Sequence, residues 1–118
     1  MGTDAELPEP RTTAAIERHD GARVAIVGTY RQVDMNAHPR GDPEYVGHVG
    51  VELADTLVHL GPTWDAASKR ADDEIERLEG ERVRAIGTIQ AEMIEPPEER
   101  FMFVGPCLHP VESVRRVE

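Results

Sequence analysis

Cysteine, aromatic residues and long apolar runs are scarce in this chain of 118 residues. The single cysteine, Cys107, cannot form an intrachain disulfide. No segment approaches the roughly 20 consecutive apolar residues that a membrane-spanning helix requires, so we expect no membrane span. The N-terminal segment has neither a basic start nor an apolar run of signal-peptide length, and we therefore expect a cytoplasmic protein.

Positive charge is also scarce, because 23 acidic residues outnumber 13 lysines and arginines and leave a formal net charge of -10. A surface of this sign repels phosphate backbones and anionic membranes, which disfavours nucleic acid as a partner. The sequence contains no phosphate-binding loop, dinucleotide fingerprint, nucleophile elbow or paired cysteines. We therefore expect no cofactor, no bound metal and no catalytic residues.

A repeated phrase organises the chain: IERHDGARVAIVGT at residues 16 to 29 returns as IERLEGERVRAIGT at residues 75 to 88. In each copy a helical segment, weaker in the first, ends at a capping glycine, Gly21 or Gly80. A strand with alternating apolar residues follows, and it contains an interior glycine, Gly28 or Gly87. Because such a glycine marks a bend or a close backbone approach, both strands suit a barrel, and all four glycines are interpreted as structural.

The rest of the sequence predicts one domain over residues 14 to 118. Residues 1 to 13 combine two prolines, acids and small polar residues, which predicts a flexible acidic tail. Alternating apolar residues predict two strands between the copies, at 45 to 53 and 56 to 60. The last strand has two candidates separated by proline turns, residues 101 to 105 and residues 110 to 117, and one bent strand could use both.

The predicted order is strand, loop, strand, turn, strand, helix, strand, long loop and strand. In this order, and in the glycine placement of GARVAIVGTY and LEGERVRAIGTI, residues 16 to 117 resemble the OB-fold. This is a five-stranded Greek-key barrel that binds oligonucleotides and oligosaccharides. The resemblance implies a mainly β protein with one short helix between strands 3 and 4, and it brings no catalytic motif with it.

The resemblance also implies a binding surface, made by the face of strands 2 and 3 and the loops beside it. The residues that this face and its first loop would contribute are Tyr45, His48, Glu52, Leu57, His59, His38 and Arg40. The loop after strand 4 would add the acidic side chains of Glu92, Glu95, Glu98 and Glu99. Single-stranded nucleic acids are held by stacked aromatic residues in a basic groove, and this surface offers one aromatic and an acidic loop.

Two further features have both a functional and a structural interpretation. Cys107 and His109 could form a reactive pair, but the pattern favours a small apolar cysteine beside an exposed histidine. Trp64, the only tryptophan, could be an exposed binding anchor. Its place between a strand end and a helix start favours a plug over one barrel mouth.

Three functions from different classes are compatible with this sequence. The first is a non-catalytic interaction module that binds a protein partner, as an accessory subunit of an assembly or as a homo-oligomer. The second is a single-stranded nucleic-acid-binding protein, for which a local basic patch would come from Arg23, Arg31, Arg82 and Arg84. The third is a metal-binding protein or small enzyme that uses His48, Glu52 and His59, a donor set that zinc accepts. The charge and the missing motifs favour the first function.

Overall fold

The computed structural model describes residues 7–32, 48–61, 69–91 and 106–117, which form a closed five-stranded barrel with two short helices. In chain order the elements are α1 Thr13–Arg18, β1 Arg23–Gln32, β2 Val49–Glu52, β3 Leu57–Leu60, α2 Asp72–Leu78, β4 Arg82–Gln90 and β5 Cys107–Arg116. Around the barrel the order is β1, β2, β3, β5, β4, and β4 pairs with β1 to close it. The predicted mainly β, OB-like barrel with a helix between strands 3 and 4 is confirmed.

Strand pairing is antiparallel around the barrel except between β3 and β5, which run parallel. Apolar side chains that alternate along the strands fill the interior, and both helices add apolar residues to it. The core residues with the least exposure include Ile16, Val24, Ile26, Tyr30, Val51, Val58, Leu60, Val83, Ile89 and Leu108. Neither α1, with 6 residues, nor α2, with 7, can span a bilayer, and the described segments contain no other helix.

The two copies of the repeated phrase are related by a local two-fold axis through the β1–β4 pair. Ile26 of the first copy pairs with Ala85, the residue at the same place in the second copy. On either side of this pair, equivalent residues pair crosswise. Val24 of the first copy pairs with Gly87 of the second, and Gly28 of the first copy pairs with Val83 of the second. The repeat therefore forms one antiparallel ladder from two equivalent strands.

The capping glycines take part in the same symmetry. The N–H of Gly21 donates to the carbonyl of Ile89 at 2.7 Å, and the N–H of Gly80 donates to the carbonyl of Tyr30 at 2.8 Å. Gly21 and Gly80 have φ angles of 84° and 82°, in the left-handed region that glycine adopts without a steric penalty. Each helix therefore ends on the far end of the other copy's strand.

Acidic side chains beside these caps repeat the arrangement once more. A carboxylate oxygen of Asp20 accepts from the N–H of Ala91 at 2.9 Å. In the second copy a carboxylate oxygen of Glu79 accepts from the N–H of Gln32 at 2.7 Å. These bonds satisfy backbone donors that lie beyond the last residue pairs of the β1–β4 ladder.

The interior glycines lie where the next strand comes closest to the backbone. A Cβ atom on Gly28 would overlap the carbonyl oxygen of Glu52 in β2. A Cβ atom on Gly87 would overlap the carbonyl oxygen of Pro110 in β5. A side chain at either position therefore requires the neighbouring strand to move.

Strand β5 decides the open question of the last strand. It begins at Cys107 and runs through Pro110, so the prediction of a turn at this proline was wrong. The pairing of β5 with β4 is irregular between Ile86 and Ile89, and a proline is tolerated where the ladder is interrupted. Residues 101–105 lie outside the described residues.

Part of the segment predicted as a flexible tail contacts the barrel. The carbonyl of Pro8 accepts from the N–H of Ala25 in β1 at 2.9 Å, and Pro10 is buried. Thr12 is the N-cap of α1, because its hydroxyl accepts from the N–H of Ala15 at 3.2 Å. Residues 1–6 lie outside the described residues, and a flexible tail there stays a prediction.

Candidate functional site

The structure describes only some of the residues predicted for the binding surface. His48, Glu52, Leu57 and His59 fall within the described segments. The predicted residues outside the described segments are Tyr45, His38, Arg40, Trp64, Glu92, Glu95, Glu98 and Glu99. The comparison with the predicted site therefore rests on strands β2 and β3.

The register of β2 and β3 places the described residues on one side of the sheet. Gly50 pairs with His59, and Glu52 pairs with Leu57. Because side chains alternate along a strand, these residues and His48 lie on the side opposite to the barrel core. A Cβ atom on Gly50 would come within 2.7 Å of the Leu57 side chain, so Leu57 lies over this glycine. We call this surface the β2–β3 outer face.

The two histidines of the β2–β3 outer face are buried, although they point away from the core. His48 has 2% and His59 has 8% of its surface exposed. In the part of the chain that the structure describes, Nδ1 of His59 has no hydrogen-bond partner. Burial lowers the pKa of His59 to about 4, and the nearby His48 lowers it in the same direction. The imidazole of His59 is therefore uncharged at neutral pH.

The residues considered as metal ligands do not converge. Among the described residues, no three His, Cys, Asp or Glu side chains lie together in a group that could hold a metal ion. Glu52 lies beside Arg31 instead, with 3.9 Å between a carboxylate oxygen and Nε. Cys107 pairs in register with His59 and has no exposed surface, so its thiol is not accessible to a substrate.

Three of the four arginines considered for a nucleic-acid patch lie beside carboxylates. The pairs are Arg23 with Glu112, Arg31 with Glu79, and Arg84 with Glu9. Arg23 is held most firmly, because its Nε and Nη2 each donate to Glu112 at 2.8 Å. The carboxylates offset much of the positive potential that the outer sides of β1 and β4 would otherwise present.

An open concave surface lies instead between the end of α2 and β5. It has a volume of about 330 Å³ and is lined by Arg77, Leu78, Val114, Arg115 and Arg116. We call it the arginine groove. Leu78 is a buried member of the hydrophobic core and Val114 is partly buried against that core; together they form an apolar floor. The three arginines are exposed around this floor.

Two of the groove arginines differ from Arg23, Arg31 and Arg84 in their surroundings. Arg77 and Arg115 form no salt bridge within the described segments. A guanidinium group offers donors in a planar fork that matches carboxylate and phosphate oxygens. The groove can therefore bind an anionic group at its rim while an aliphatic side chain covers the floor.

A hydrogen-bonded group fixes the helix that carries the groove. The hydroxyl of Tyr30 in β1 donates to the carboxylate of Glu74 in α2 at 2.8 Å. Arg70 donates to the same carboxylate from Nε at 2.6 Å and from Nη2 at 2.7 Å. Because Arg77 and Leu78 lie one turn further along α2, these bonds also set their position.

The charges in this group suit neutral pH. Burial and the hydrogen bond to Glu74 raise the pKa of Tyr30, which keeps its hydroxyl protonated as a donor. The hydrogen bond from Arg70 lowers the pKa of Glu74, which keeps the carboxylate ionised as an acceptor. The attachment of α2 to β1 therefore persists through the neutral range.

A second concave surface, beside α1, has the opposite charge. A pocket of about 350 Å³ there is lined by Glu17, Asp20, Gln90 and Ala91. Glu17 and Asp20 are acidic and exposed, whereas the arginine groove carries three cations. The described part of the barrel therefore carries an acidic and a basic concave surface at separate places.

The arginine groove was missed in the sequence because its members are far apart in the chain. Arg77 fits the usual preference for a cation in the last turn of a helix, and Arg115 and Arg116 fit a solvated strand end. The one available signal was the pair of consecutive arginines in the last strand. Comparison of the chain with known protein families, curated proteins and solved structures finds no match in any of the three.

Proposed function

We propose that this barrel is a non-catalytic interaction module that binds a protein partner through the arginine groove, as an accessory subunit of an assembly. The observation that carries the proposal is the groove itself, with exposed guanidinium groups around an apolar floor in an otherwise acidic protein. Protein interfaces combine an apolar centre with a polar rim, and arginine is enriched among the residues that dominate their binding energy.

Single-stranded nucleic-acid binding is the second candidate, and the groove arginines are the observation in its favour. The described residues of the β2–β3 outer face include no aromatic platform, and His59 there is uncharged. Three of the four arginines on β1 and β4 lie beside carboxylates. The net charge of -10 opposes a long polyanion, so a short anionic protein segment fits the surface better.

A metal-binding or catalytic role for His48, Glu52 and His59 has less support. The two imidazoles are buried, and Glu52 lies beside Arg31. We place the protein in the cytoplasm, which its single, buried Cys107 supports, because extracellular domains of this size often depend on disulfides.

The proposal is tested by affinity capture from a lysate of the protein's own host, followed by mass spectrometry. The test variant is the double substitution Arg77→Gln with Arg115→Gln. The matched control is Arg18→Gln, because Arg18 occupies in the first copy the place that Arg77 has in the second. We expect a protein that the wild type and the control retain and that the double variant loses.

Two results would contradict the proposal. One is that no protein is retained above the level of bare resin, and the other is that every retained protein is indifferent to the double substitution. Size-exclusion chromatography of the purified chain distinguishes a second copy as the partner. In that case the wild type elutes as an oligomer and the double variant as a monomer.

A further inference from the structure

We infer that the arginine groove takes an extended acidic peptide segment, with an aliphatic side chain on the floor and carboxylates beside the arginines. This inference rests on the proposed function and specifies the chemistry of the partner. Four features of the groove lead to it: its charge, its floor, its strand wall and its fixed position.

Charge complementarity favours an acidic ligand. Arg77 and Arg115 are exposed and form no salt bridge within the described segments, while most other described strand arginines lie beside carboxylates. A ligand carboxylate can form two parallel hydrogen bonds with one guanidinium group, which gives orientation as well as energy. The groove therefore provides at its rim what a segment rich in glutamate or aspartate requires.

The floor distinguishes a peptide from a nucleic acid. Leu78 and Val114 are aliphatic, and no aromatic residue of the described segments lines the groove. Bases are held by stacking on aromatic rings, whereas an aliphatic floor accepts leucine, isoleucine, valine or methionine. The volume of about 330 Å³ is at the lower end of the range for ligand pockets, which suits one or two side chains rather than a folded surface.

The wall formed by β5 favours an extended segment. The pairing of β5 with β3 covers Cys107 and Leu108 and ends there in the described residues, although β5 continues to Arg116. Beyond Leu108, no other described strand pairs with β5 on the side away from β4, and Val114 and Arg115 of this stretch line the groove. A peptide in strand conformation can follow such a wall and place alternate side chains in the groove and in solvent.

The groove is held in place before a ligand arrives. Tyr30 and Arg70 bind the carboxylate of Glu74, which fixes α2 on β1, and Leu78 is packed into the core. Binding therefore needs little rearrangement of the barrel, and the ordering cost falls mainly on the peptide.

The inference is tested by fluorescence anisotropy at low salt. The probes are fluorescein-labelled peptides in which one leucine, isoleucine, valine or methionine is flanked by glutamates. Control probes carry glutamine in place of every glutamate, or are labelled oligothymidylates. The proteins are the wild type, the double variant R77Q/R115Q and the control R18Q, each checked for folding by its thermal unfolding curve.

We expect at least one acidic peptide to bind the wild type and R18Q equally, and the double variant about 10-fold more weakly or worse. Glutamine peptides should bind correspondingly more weakly. Equal binding to the double variant, or equal binding of the glutamine peptides, overturns the inference. Tighter binding of oligothymidylate with the same dependence on Arg77 and Arg115 overturns it in favour of a nucleic acid.

Failure of this inference can be distinguished from failure of the proposed function. If no acidic peptide binds but lysate capture still yields a protein that the double variant loses, the module binds proteins and the ligand chemistry is wrong. If capture yields no such protein and no acidic peptide binds, both are wrong.

Discussion

The β2–β3 outer face and the arginine groove are two outer surfaces of the same barrel, and they differ in the solvent exposure of their polar side chains. On the outer face, His48 and His59 are buried and His59 is uncharged at neutral pH. In the groove, Arg77 and Arg115 are exposed and charged beside an apolar floor. The OB-fold resemblance predicts ligand binding at the first surface. The second surface is an open groove with exposed arginines.

Strand alternation indicates which way a side chain points, but it does not indicate whether solvent reaches that side chain. His59 points away from the core in the predicted manner, yet its exposed fraction is 8%. Burial of a polar side chain stabilises only one ionisation state, whereas an exposed guanidinium group remains available to a partner. Four experiments test whether the two surfaces differ in this way; we expect the greatest change in stability for the buried histidine and the least for the groove arginines.

The largest effect concerns acid and the β2–β3 outer face. Because the folded pKa of His59 is about 4 and its ordinary value is 6.5, the unfolded chain binds the proton more readily. The free energy of unfolding should be complete above pH 6.5 and fall as the pH drops from 6.5 towards 4, by roughly 3 kcal/mol in all. Urea unfolding at several pH values between 6.5 and 5 measures the slope before the carboxylates titrate.

The control for this experiment is a matched pair of substitutions. His59→Gln should remove much of the slope, while His109→Gln, at a less buried histidine, should leave it as in the wild type. A wild-type stability that is constant between pH 6.5 and 5 would show that His59 is not buried as an uncharged imidazole.

The second experiment concerns the interior glycines. Gly28 lies against β2, which belongs to the β2–β3 outer face, and Gly87 lies against β5, which lines the arginine groove. Gly28→Ala should push β2 away from β1, and Gly87→Ala should push β5 away from β4, because each new Cβ meets a carbonyl oxygen. We expect each to lower the free energy of unfolding by about 2 kcal/mol. Gly21→Ala, with positive φ but no atom within 4 Å of its Cβ, should cost only about 1 kcal/mol.

We expect the two glycine variants to differ in their affinity for the acidic peptide. Under conditions where both variants remain folded, Gly87→Ala should weaken binding of the acidic peptide, because β5 forms a wall of the groove. Gly28→Ala should leave peptide affinity unchanged, because β2 lies on the other surface. Chemical denaturation and anisotropy measure the two effects, and equal costs for Gly28→Ala and Gly21→Ala would refute the close approach of β2.

The attachment of α2 gives a smaller effect. Tyr30→Phe removes the hydroxyl donor to Glu74 but leaves both bonds from Arg70, so we expect a loss of about 1.5 kcal/mol. Glu76→Gln, on the exposed side of the same helix, should change stability by less than about 0.5 kcal/mol. Comparable unfolding curves for the two variants would mean that the Tyr30 bond does not hold the helix.

The smallest effect is expected where the groove arginines are removed. R77Q/R115Q should change the free energy of unfolding by less than about 0.5 kcal/mol, because neither side chain forms a salt bridge in the described segments. Arg23→Gln loses the two-point contact with Glu112 and should cost up to about 1 kcal/mol. A larger loss for the groove variant than for Arg23→Gln would assign the groove arginines to stability instead of binding.

The fold was readable from local signals that act over a few residues. Gly21 and Gly80 end their helices, and period-two apolar residues define β1 and β4, which together predict a barrel with bent strands. The course of β5 through Pro110 was not readable, because a proline is acceptable only where the pairing with β4 is irregular. That irregularity is a property of two strands and not of either sequence alone.

The sequence predicted the direction of the side chains at the candidate site but not their solvent exposure. The positions of Glu52, Leu57 and His59 on one side of the sheet follow from their spacing, whereas the burial of His59 depends on contacts distant in the chain. The groove brings a helix residue, Arg77, next to a strand residue, Arg115, and no local pattern encodes that distance. Tertiary contacts therefore decided which polar side chains are exposed.

A map of the surface that an acidic peptide contacts shows which of the two surfaces binds it. Isotope-labelled protein is titrated with the tightest glutamate-flanked peptide, and backbone amide chemical shifts are followed by nuclear magnetic resonance. We expect shifts concentrated at Arg77, Leu78, Val114 and Arg115. Shifts concentrated at Gly50, Glu52, Leu57 and His59 would contradict binding at the arginine groove and indicate that the β2–β3 outer face binds the peptide.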